Sequence, residues 1–131
     1  MIEHPNSLLV HHCLQAAQDG DWHTLRALWA PDIAWHVKGA SPWQGDIKGV
    51  DNVLEHLAKV GNLGSAGIHT KIEDVMVSHK RASLICHTYA EIGDRVLDAD
   101  FLVIAEIISR RIQTITSIPI DPDRVAEFWL D

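Results

Sequence analysis

Two carboxylates share one face of a strand-like segment and are the first candidates for acid–base chemistry. Over residues 95–107, period-two alternation places Asp98 and Asp100 on the same face, among apolar neighbours. A carboxyl group in apolar surroundings has a raised pKa, which brings it toward the range useful for proton abstraction. Asp100 lies deeper in the strand and is the better candidate for a general base. Alternatively, this is the outer face of the sheet, where both carboxylates are solvated or paired at a dimer surface.

A second polar set lies on the preceding strand-like run, residues 82–92. His87 and Tyr89 share a face with Ser83 and Glu91, whereas the opposite face is apolar. An imidazole and a phenol on a pocket wall can orient a carbonyl or hydroxyl ligand, and His87 can donate a hydrogen bond to a developing oxyanion. The alternative is the half-solvated outer face that antiparallel sheets often present to water.

Histidine and tryptophan side chains are concentrated near a third, shorter run. In residues 32–38, Trp35 and His36 point to opposite faces of a strand, so one of them should face the interior. An imidazole has an intrinsic pKa near neutrality, which suits a residue such as His36 to acid or base work, although a lone strand histidine is often only a structural hydrogen-bonding residue. Trp43 follows in a turn-rich loop and, like Trp35, is expected to wall a pocket. His56, at the polar edge of the third predicted helix, is a weaker candidate.

Metal and cofactor chemistry find little support in the spacing of ligand-type residues. The chain has nine histidines, but no pair lies at ligand spacing on a predicted common face, so no metal site is predicted. We find neither a glycine-rich phosphate loop nor a nucleophile elbow, and we expect no cofactor. Cys13 and Cys86 lie in apolar settings and are predicted to be buried thiols in a reducing cytoplasm.

Bulk properties limit the possible partners. The chain has 131 residues and a net charge of −7, which predicts one globular domain spanning residues 1–131 and argues against nucleic-acid binding. No apolar run reaches the ~20 residues of a membrane span, and no signal peptide is evident. We therefore expect a cytoplasmic protein with neither a membrane nor a nucleic-acid partner.

Three helices are predicted before the long strands. Asn6 or Ser7 can cap the first, which runs to about Gln18, and a second, shorter helix covers residues 22–29. A third helix covers residues 51–61, with His56 at the edge of its apolar stripe. Residues 61–67 are glycine-rich and are predicted to form a flexible connection.

Strand periodicity dominates the second half of the chain. Breaks short enough for hairpins separate four runs, at residues 68–78, 82–92, 96–108 and 112–120. Asp121 and Pro122 then open a terminal helix with Val125, Phe128 and Trp129 on its apolar side. The order predicts an α+β cone, in which three helices cover a strongly curved, mostly antiparallel sheet and leave a pocket between the layers.

Three separated segments carry a family resemblance: GDWHTLRALWAPDIAWHV, GASPWQGDIKGVDNVLEHL and the final DPDRVAEFW. In order and spacing they resemble the SnoaL-like branch of the NTF2-like superfamily, which includes ketosteroid isomerase and the polyketide cyclases. The resemblance implies the cone fold over essentially the whole chain and a homodimer formed through the exposed face of the sheet. Family members include isomerases, cyclases, epoxide hydrolases, dehydratases and proteins that only bind or dimerise, so fold alone does not assign a function.

The chain departs from the family's catalytic patterns. The acidic base that several members carry on the last long strand falls near Ser117 here, and the isomerase-type tyrosine of the first helix is missing. The order of Arg95, Asp98 and Asp100 also differs from the Asp-Arg-Asp arrangement of the epoxide hydrolases. The resemblance therefore does not carry a substrate to this chain.

The leading hypothesis is a dimeric protein that binds a small apolar carbonyl or hydroxyl compound, with cofactor-free proton transfer if it is catalytic. Asp100 or His36 would be the base, and His87 would support the developing oxyanion. The predicted ligand-contacting residues are Trp35, Trp43, Tyr89, Phe101 and Ser117. The alternatives are a non-catalytic binding or dimerisation module, and an enzyme similar to the epoxide hydrolases or dehydratases.

Overall fold

The computed structural model describes residues 4–39, 41–61 and 68–129, which form four helices and one six-stranded sheet. The helices are α1 (Pro5–Asp19), α2 (Trp22–Leu28), α3 (Val50–Gly61) and α4 (Pro122–Trp129). The strands are β1 (Trp29–Val37), β2 (Gly45–Lys48), β3 (Ile68–Val77), β4 (Arg81–Ile92), β5 (Arg95–Ile108) and β6 (Arg111–Pro119). The predicted α+β fold, with helices on a curved sheet and a short closing helix, is confirmed.

The first helix begins earlier than predicted. Its N-cap is His4, whose ring Nδ1 accepts a hydrogen bond from the backbone N–H of Asn6 at 3.0 Å. Asn6, one of the two predicted caps, is buried, and its side-chain amide donates to the carbonyl oxygens of Ser78 and His79 at 2.8 and 3.2 Å. The start of α1 is thereby fixed to the turn between β3 and β4.

Strand order in the sheet is β2-β1-β6-β5-β4-β3, with β1 and β6 parallel and all other neighbours antiparallel. The predicted antiparallel meander corresponds to β3–β6. Strand β2 was predicted as loop, because its four residues lie among turn-forming residues and are too few to show alternation. Ser109 and Arg110 both have positive φ, at 52° and 64°, and form the two-residue turn between β5 and β6.

Bulges interrupt the ladders and contribute to the curvature of the sheet. On β3, Glu73 is an extra residue between the pairs Ile72–Cys86 and Asp74–Ile85, and β5 shifts register against β6 after Glu106. Because a bulge bends its strand and increases the local twist, the sheet presents a concave face on one side. Helices α1, α2 and α3 pack on that side.

The main apolar core lies between the helices and the concave face. Leu25, Ile33 and Val53 are fully buried and anchor α2, β1 and α3 respectively. A smaller cluster under α4 includes Val125 and Phe128 of the predicted apolar side, and Trp129, the third predicted residue, is partly buried against it.

None of the described helices is long and apolar enough to cross a membrane. The flexible connection predicted for residues 61–67 lies, beyond Gly61, outside the described residues.

Candidate functional site

A cavity of about 340 Å³ lies between α1, α3 and the concave face of the sheet. This volume falls within the range of pockets that hold small organic molecules. Most of its wall is hydrocarbon, contributed by residues that include Val10, Leu57, Val60, Leu84, Phe101, Val103 and Ile115. Among its described lining residues there is no aspartate or glutamate.

Strand parity decides which side chains reach the cavity. On β4, Leu84, Cys86 and Thr88 face inward, and on the neighbouring β5 the inward positions include Phe101 and Val103. Successive residues of a strand alternate between faces, so the intervening residues of both strands point away from the cavity.

Trp43 and His56 form the aromatic and polar end of the cavity. Gly39 lies two residues after β1 with a φ of 86°, so close to the end of β6 that a Cβ there would lie 2.7 Å from Pro119 Cγ. The loop that follows carries Trp43 against His56 of α3, with ring centroids 5.3 Å apart, and against Trp129 of α4 at 5.9 Å. The indole Nε1 of Trp43 is buried and has no hydrogen-bond partner among the described residues.

His56 is the one histidine among the described lining residues of the cavity. Its ring packs edge-on against Trp43 and Trp35, with the Trp35 centroid 5.6 Å away. Burial lowers the pKa of His56, and the positive charge of Lys59 on the same helix lowers it further. The imidazole is therefore neutral at pH 7, in the form that accepts a proton.

This environment predicts how His56 responds to pH. In an NMR titration of the histidine rings, we expect the midpoint of His56 to fall below its ordinary value of 6.5. The unfolded chain then binds this proton at higher pH than the folded chain does, so the His56 contribution to stability is lost as pH falls from 6.5 toward the folded-state pKa. His56→Phe should weaken the pH dependence of the free energy of unfolding in that window, and a His56 midpoint at or above 6.5 would contradict the buried placement.

The other polar groups of the cavity are mostly engaged or unreactive. Ser117 accepts a hydrogen bond from the Trp35 indole at 3.2 Å. Burial raises the pKa of the Cys13 thiol to about 12 and that of Cys86 to about 11. Both cysteines are protonated at neutral pH, so neither supplies a thiolate nucleophile.

The structure corrects the predicted orientation of four site residues. Asp100, His87 and Tyr89 lie on the outer face of β4 and β5, and His36 lies on the outer face of β1. The expectation that these residues face the cavity is wrong, because the apolar side of β4 packs inward and the register that pairs His87 with Asp100 places both on the opposite side. Proton transfer inside the cavity therefore cannot use them.

On that outer face both histidines contact carboxylates. His87 Nδ1 lies 2.8 Å from Asp100 Oδ1, and its Nε2 contacts Asp98. The hydrogen bond to Asp100 and the charges of both aspartates raise the pKa of His87. His36 Nδ1 separately pairs with Asp46 of β2 at 2.7 Å.

Four of the five predicted ligand-contacting residues line the cavity, namely Trp35, Trp43, Phe101 and Ser117. Tyr89 instead lies outside and donates a hydrogen bond to Glu91 at 2.6 Å.

The sequence contains a signal that His56 lies on the cavity side of α3. Its position three residues after Val53 and four before Val60 on one helix was the available signal, because such residues share a face.

The fold and the cavity agree with a known protein family. A model of the SnoaL-like domain matches residues 10–115, which is most of the chain. The chain belongs to the SnoaL-like family. The match includes the cavity-lining residues of α1, α3 and β1 and those of β3–β5.

Individual relatives agree with this assignment. An uncharacterized protein of Mycobacterium tuberculosis is 25% identical over 122 residues, covering 92% of this chain and 93% of the relative. Bal32a, from a soil-derived mobile gene cassette, has 25% identity and a TM-score of 0.90, with 96% and 97% of the two chains covered. An NTF2-like protein from Burkholderia xenovorans has 18% identity, a TM-score of 0.84 and 96% coverage of both chains. Other structures of this fold include a putative SnoaL-like polyketide cyclase and an LEH-like epoxide hydrolase, at identities that show the fold alone.

Proposed function

We propose that this SnoaL-like protein binds a compact, mostly apolar molecule that carries a carbonyl or hydroxyl group. The observation that carries the proposal is the unpartnered indole N–H of Trp43, whose ring packs against neutral His56 at one end of a mostly apolar cavity. A buried donor without a partner costs about 1–3 kcal/mol. An oxygen of the ligand satisfies this donor, while the hydrocarbon wall takes up the rest of the molecule.

The same two side chains support proton transfer next to a carbonyl. With the carbonyl oxygen on the Trp43 N–H, a ring nitrogen of His56 removes a proton from the adjacent carbon, and the electron pair moves onto the oxygen. Where a carbon–carbon double bond adjoins that carbon, the enolate is conjugated, and returning the proton to the far carbon of the double bond isomerises the compound. Attack of the enolate carbon on a second carbonyl of the same molecule closes a ring, and the alkoxide that forms takes the proton back from His56. Both reactions need a base and an oxyanion donor, and neither needs a cofactor.

Hydrogen–deuterium exchange at the α-carbon tests the catalytic part. We expect the protein in D₂O to accelerate exchange of the α-protons of 2-tetralone, followed by proton NMR. His56→Gln should slow the catalysed exchange by about 10²–10⁴-fold, the usual contribution of a positioned base. His36→Gln, on the outer face, is the matched control and should leave the rate unchanged.

A non-catalytic binding protein is the second candidate, favoured by the lack of a carboxylate on the described cavity wall. Saturable binding of 2-tetralone without accelerated exchange would select this function and exclude the isomerase and cyclase proposals for such ketones. The missing carboxylate also argues against hydration or epoxide opening, which need a water held and activated by polar groups.

We further propose a homodimer formed through the outer face of the sheet. Ile85, Leu102, Ile104 and Ile118 form a contiguous, partly exposed apolar patch on β4, β5 and β6. An apolar surface of this kind on a soluble domain is typical of an association surface.

Analytical ultracentrifugation tests the dimer. We expect wild-type protein to sediment as two chains and Leu102→Lys as one, because pairing two copies would bury an unpaired charge. Leu8→Lys, which changes an exposed leucine of α1, serves as the control and should remain dimeric. A monomeric wild-type protein, or a dimeric Leu102→Lys variant, would exclude this interface.

A further inference from the structure

We infer that the outer face of the sheet carries a binding site for a first-row divalent transition-metal ion, with Zn²⁺ as its representative. The ligands are a carboxylate oxygen of Glu73, Nδ1 of His87 and a carboxylate oxygen of Asp100. These three donor atoms all lie within 4.8 Å of one another. The site is separate from the cavity, since it occupies the opposite face of the sheet.

Three adjacent strands bring the ligands together. His87 of β4 pairs directly with Asp100 of β5, and Glu73 is the extra residue of the bulge on β3. Bulges often re-aim a side chain beside a functional site, and this one places Glu73 Oε1 3.7 Å from His87 Nδ1. The ligands are far apart in sequence and form no short motif. The sequence therefore predicts no metal site.

The donor separations suit a single small ion. Ligand atoms of a tetrahedral zinc site lie about 3.3 Å apart, given bond lengths of about 2.0–2.1 Å. The Nδ1–Oδ1 and Nδ1–Oε1 distances of 2.8 and 3.7 Å lie on either side of that value. The third separation, between the carboxylate oxygens of Glu73 and Asp100, is no more than 4.8 Å.

Asp98 orients the imidazole from behind. Its Oδ1 contacts Nε2 of His87, on the side of the ring away from Asp100. A proton on Nε2 is held by this carboxylate, which leaves the lone pair of Nδ1 directed toward Glu73 and Asp100. Carboxylate–histidine–metal arrangements of this kind are common in metal sites, where the outer carboxylate fixes the tautomer and makes the imidazole a better ligand.

Charge around His87 also favours a cation. Three carboxylates, of Glu73, Asp98 and Asp100, surround one imidazole, and Lys71 on β3 is the other positive group acting on them. The donor oxygens of Glu73 and Asp100 lie within 4.8 Å of each other, with like charges on the two carboxylates. A divalent ion between them relieves this repulsion.

The donor set selects the class of ion. One imidazole and two carboxylates suit Zn²⁺ and Co²⁺, whereas Mg²⁺ and Ca²⁺ prefer oxygen donors alone. Three protein ligands leave one position for water in a tetrahedral site.

Isothermal titration of the full-length, chelator-treated protein tests the site, with ZnCl₂ and MgCl₂ as probes. We expect one Zn²⁺ per chain and no heat from Mg²⁺. Replacing a ligand, in His87→Gln or Asp100→Asn, should weaken Zn²⁺ binding by more than about 100-fold, and Asp98→Asn by about 10–100-fold. His36→Gln alters another histidine–aspartate pair of the same face and should bind as the wild type does.

A spectroscopic measurement keeps the test independent of stability. Co²⁺ bound at four-coordinate sites absorbs in the visible, and this band should disappear in His87→Gln and persist in His36→Gln, with circular dichroism confirming that both variants fold. No Zn²⁺ binding by the wild type would overturn the inference. So would binding that survives both His87→Gln and Asp100→Asn, since the ion would then be held adventitiously by other surface histidines.

Discussion

Replacing Val103 by tryptophan is expected to abolish binding of 2-tetralone while leaving the protein folded. Val103 is partly buried on β5 and points into the cavity, so an indole at this position occupies the space of the ligand. The added ring fills existing empty volume, and the usual cost of overpacking a core is therefore reduced. We expect the dissociation constant to rise by at least about 100-fold, equivalent to roughly 2.7 kcal/mol of lost binding free energy.

Val96→Trp is the matched control, because Val96 lies on the same strand but on its exposed outer face. Titration followed by ligand-observed NMR avoids interference from the added indoles. Retained affinity in folded Val103→Trp would place the ligand somewhere other than this cavity.

Replacing Leu25 by alanine is expected to cause the largest loss of stability. Leu25 is fully buried in the main core, where it packs α2 against the other helices and the sheet. Leucine-to-alanine changes at such positions cost about 2–5 kcal/mol, as the sum of lost burial and the cavity left behind. The measurement is the urea dependence of unfolding, compared with wild type at equal m-value.

Leu8→Ala provides the comparison for this experiment. Leu8 is 53% exposed on α1, so its truncation should change the free energy of unfolding by no more than about 0.5 kcal/mol. A loss below about 1 kcal/mol for Leu25→Ala would show that α2 is not part of the cooperative core.

Periodicity predicted most of the elements because the helices show a period near 3.6 and most of the long strands a period of two. The alternation over β4 was informative, with Leu84, Cys86 and Ala90 on one face and His87 on the other. The short strand β2 and the cap of α1 were missed, since four residues carry no period and His4 is an unusual capping residue.

The sequence pattern of β5 does not show which of its two faces points toward the cavity. Leu97 and Val103 on one side are matched by Leu102 and Ile104 on the other, so both faces are apolar. Only the cross-strand register decides the question, and register depends on pairings that a single sequence does not contain. The sequence therefore leaves both facings of Asp100 open, and the structure places it on the outer face.

The sequence predicts the residues that line the cavity better than the residues that could do chemistry in it. The tryptophans and Phe101 were identified from bulk and position, which depend on local sequence. The surroundings of His56 depend on two rings from distant segments, Trp35 and Trp43, which pack against it. Contacts between distant segments also bring Glu73, His87 and Asp100 together, so their grouping is seen only when the three strands are aligned in the sheet.

The most direct measurement of the central claim is the indole N–H spectrum of ¹⁵N-labelled protein, in which each of the five tryptophans gives one resonance. On titration with 1-tetralone, we expect the Nε1–H signal of Trp43 to shift downfield as it gains an acceptor. Tetralin, which has the same ring system without the oxygen, should not cause this downfield shift. A Trp43 resonance that ignores 1-tetralone, or moves equally with tetralin, would contradict recognition of a ligand oxygen in this cavity.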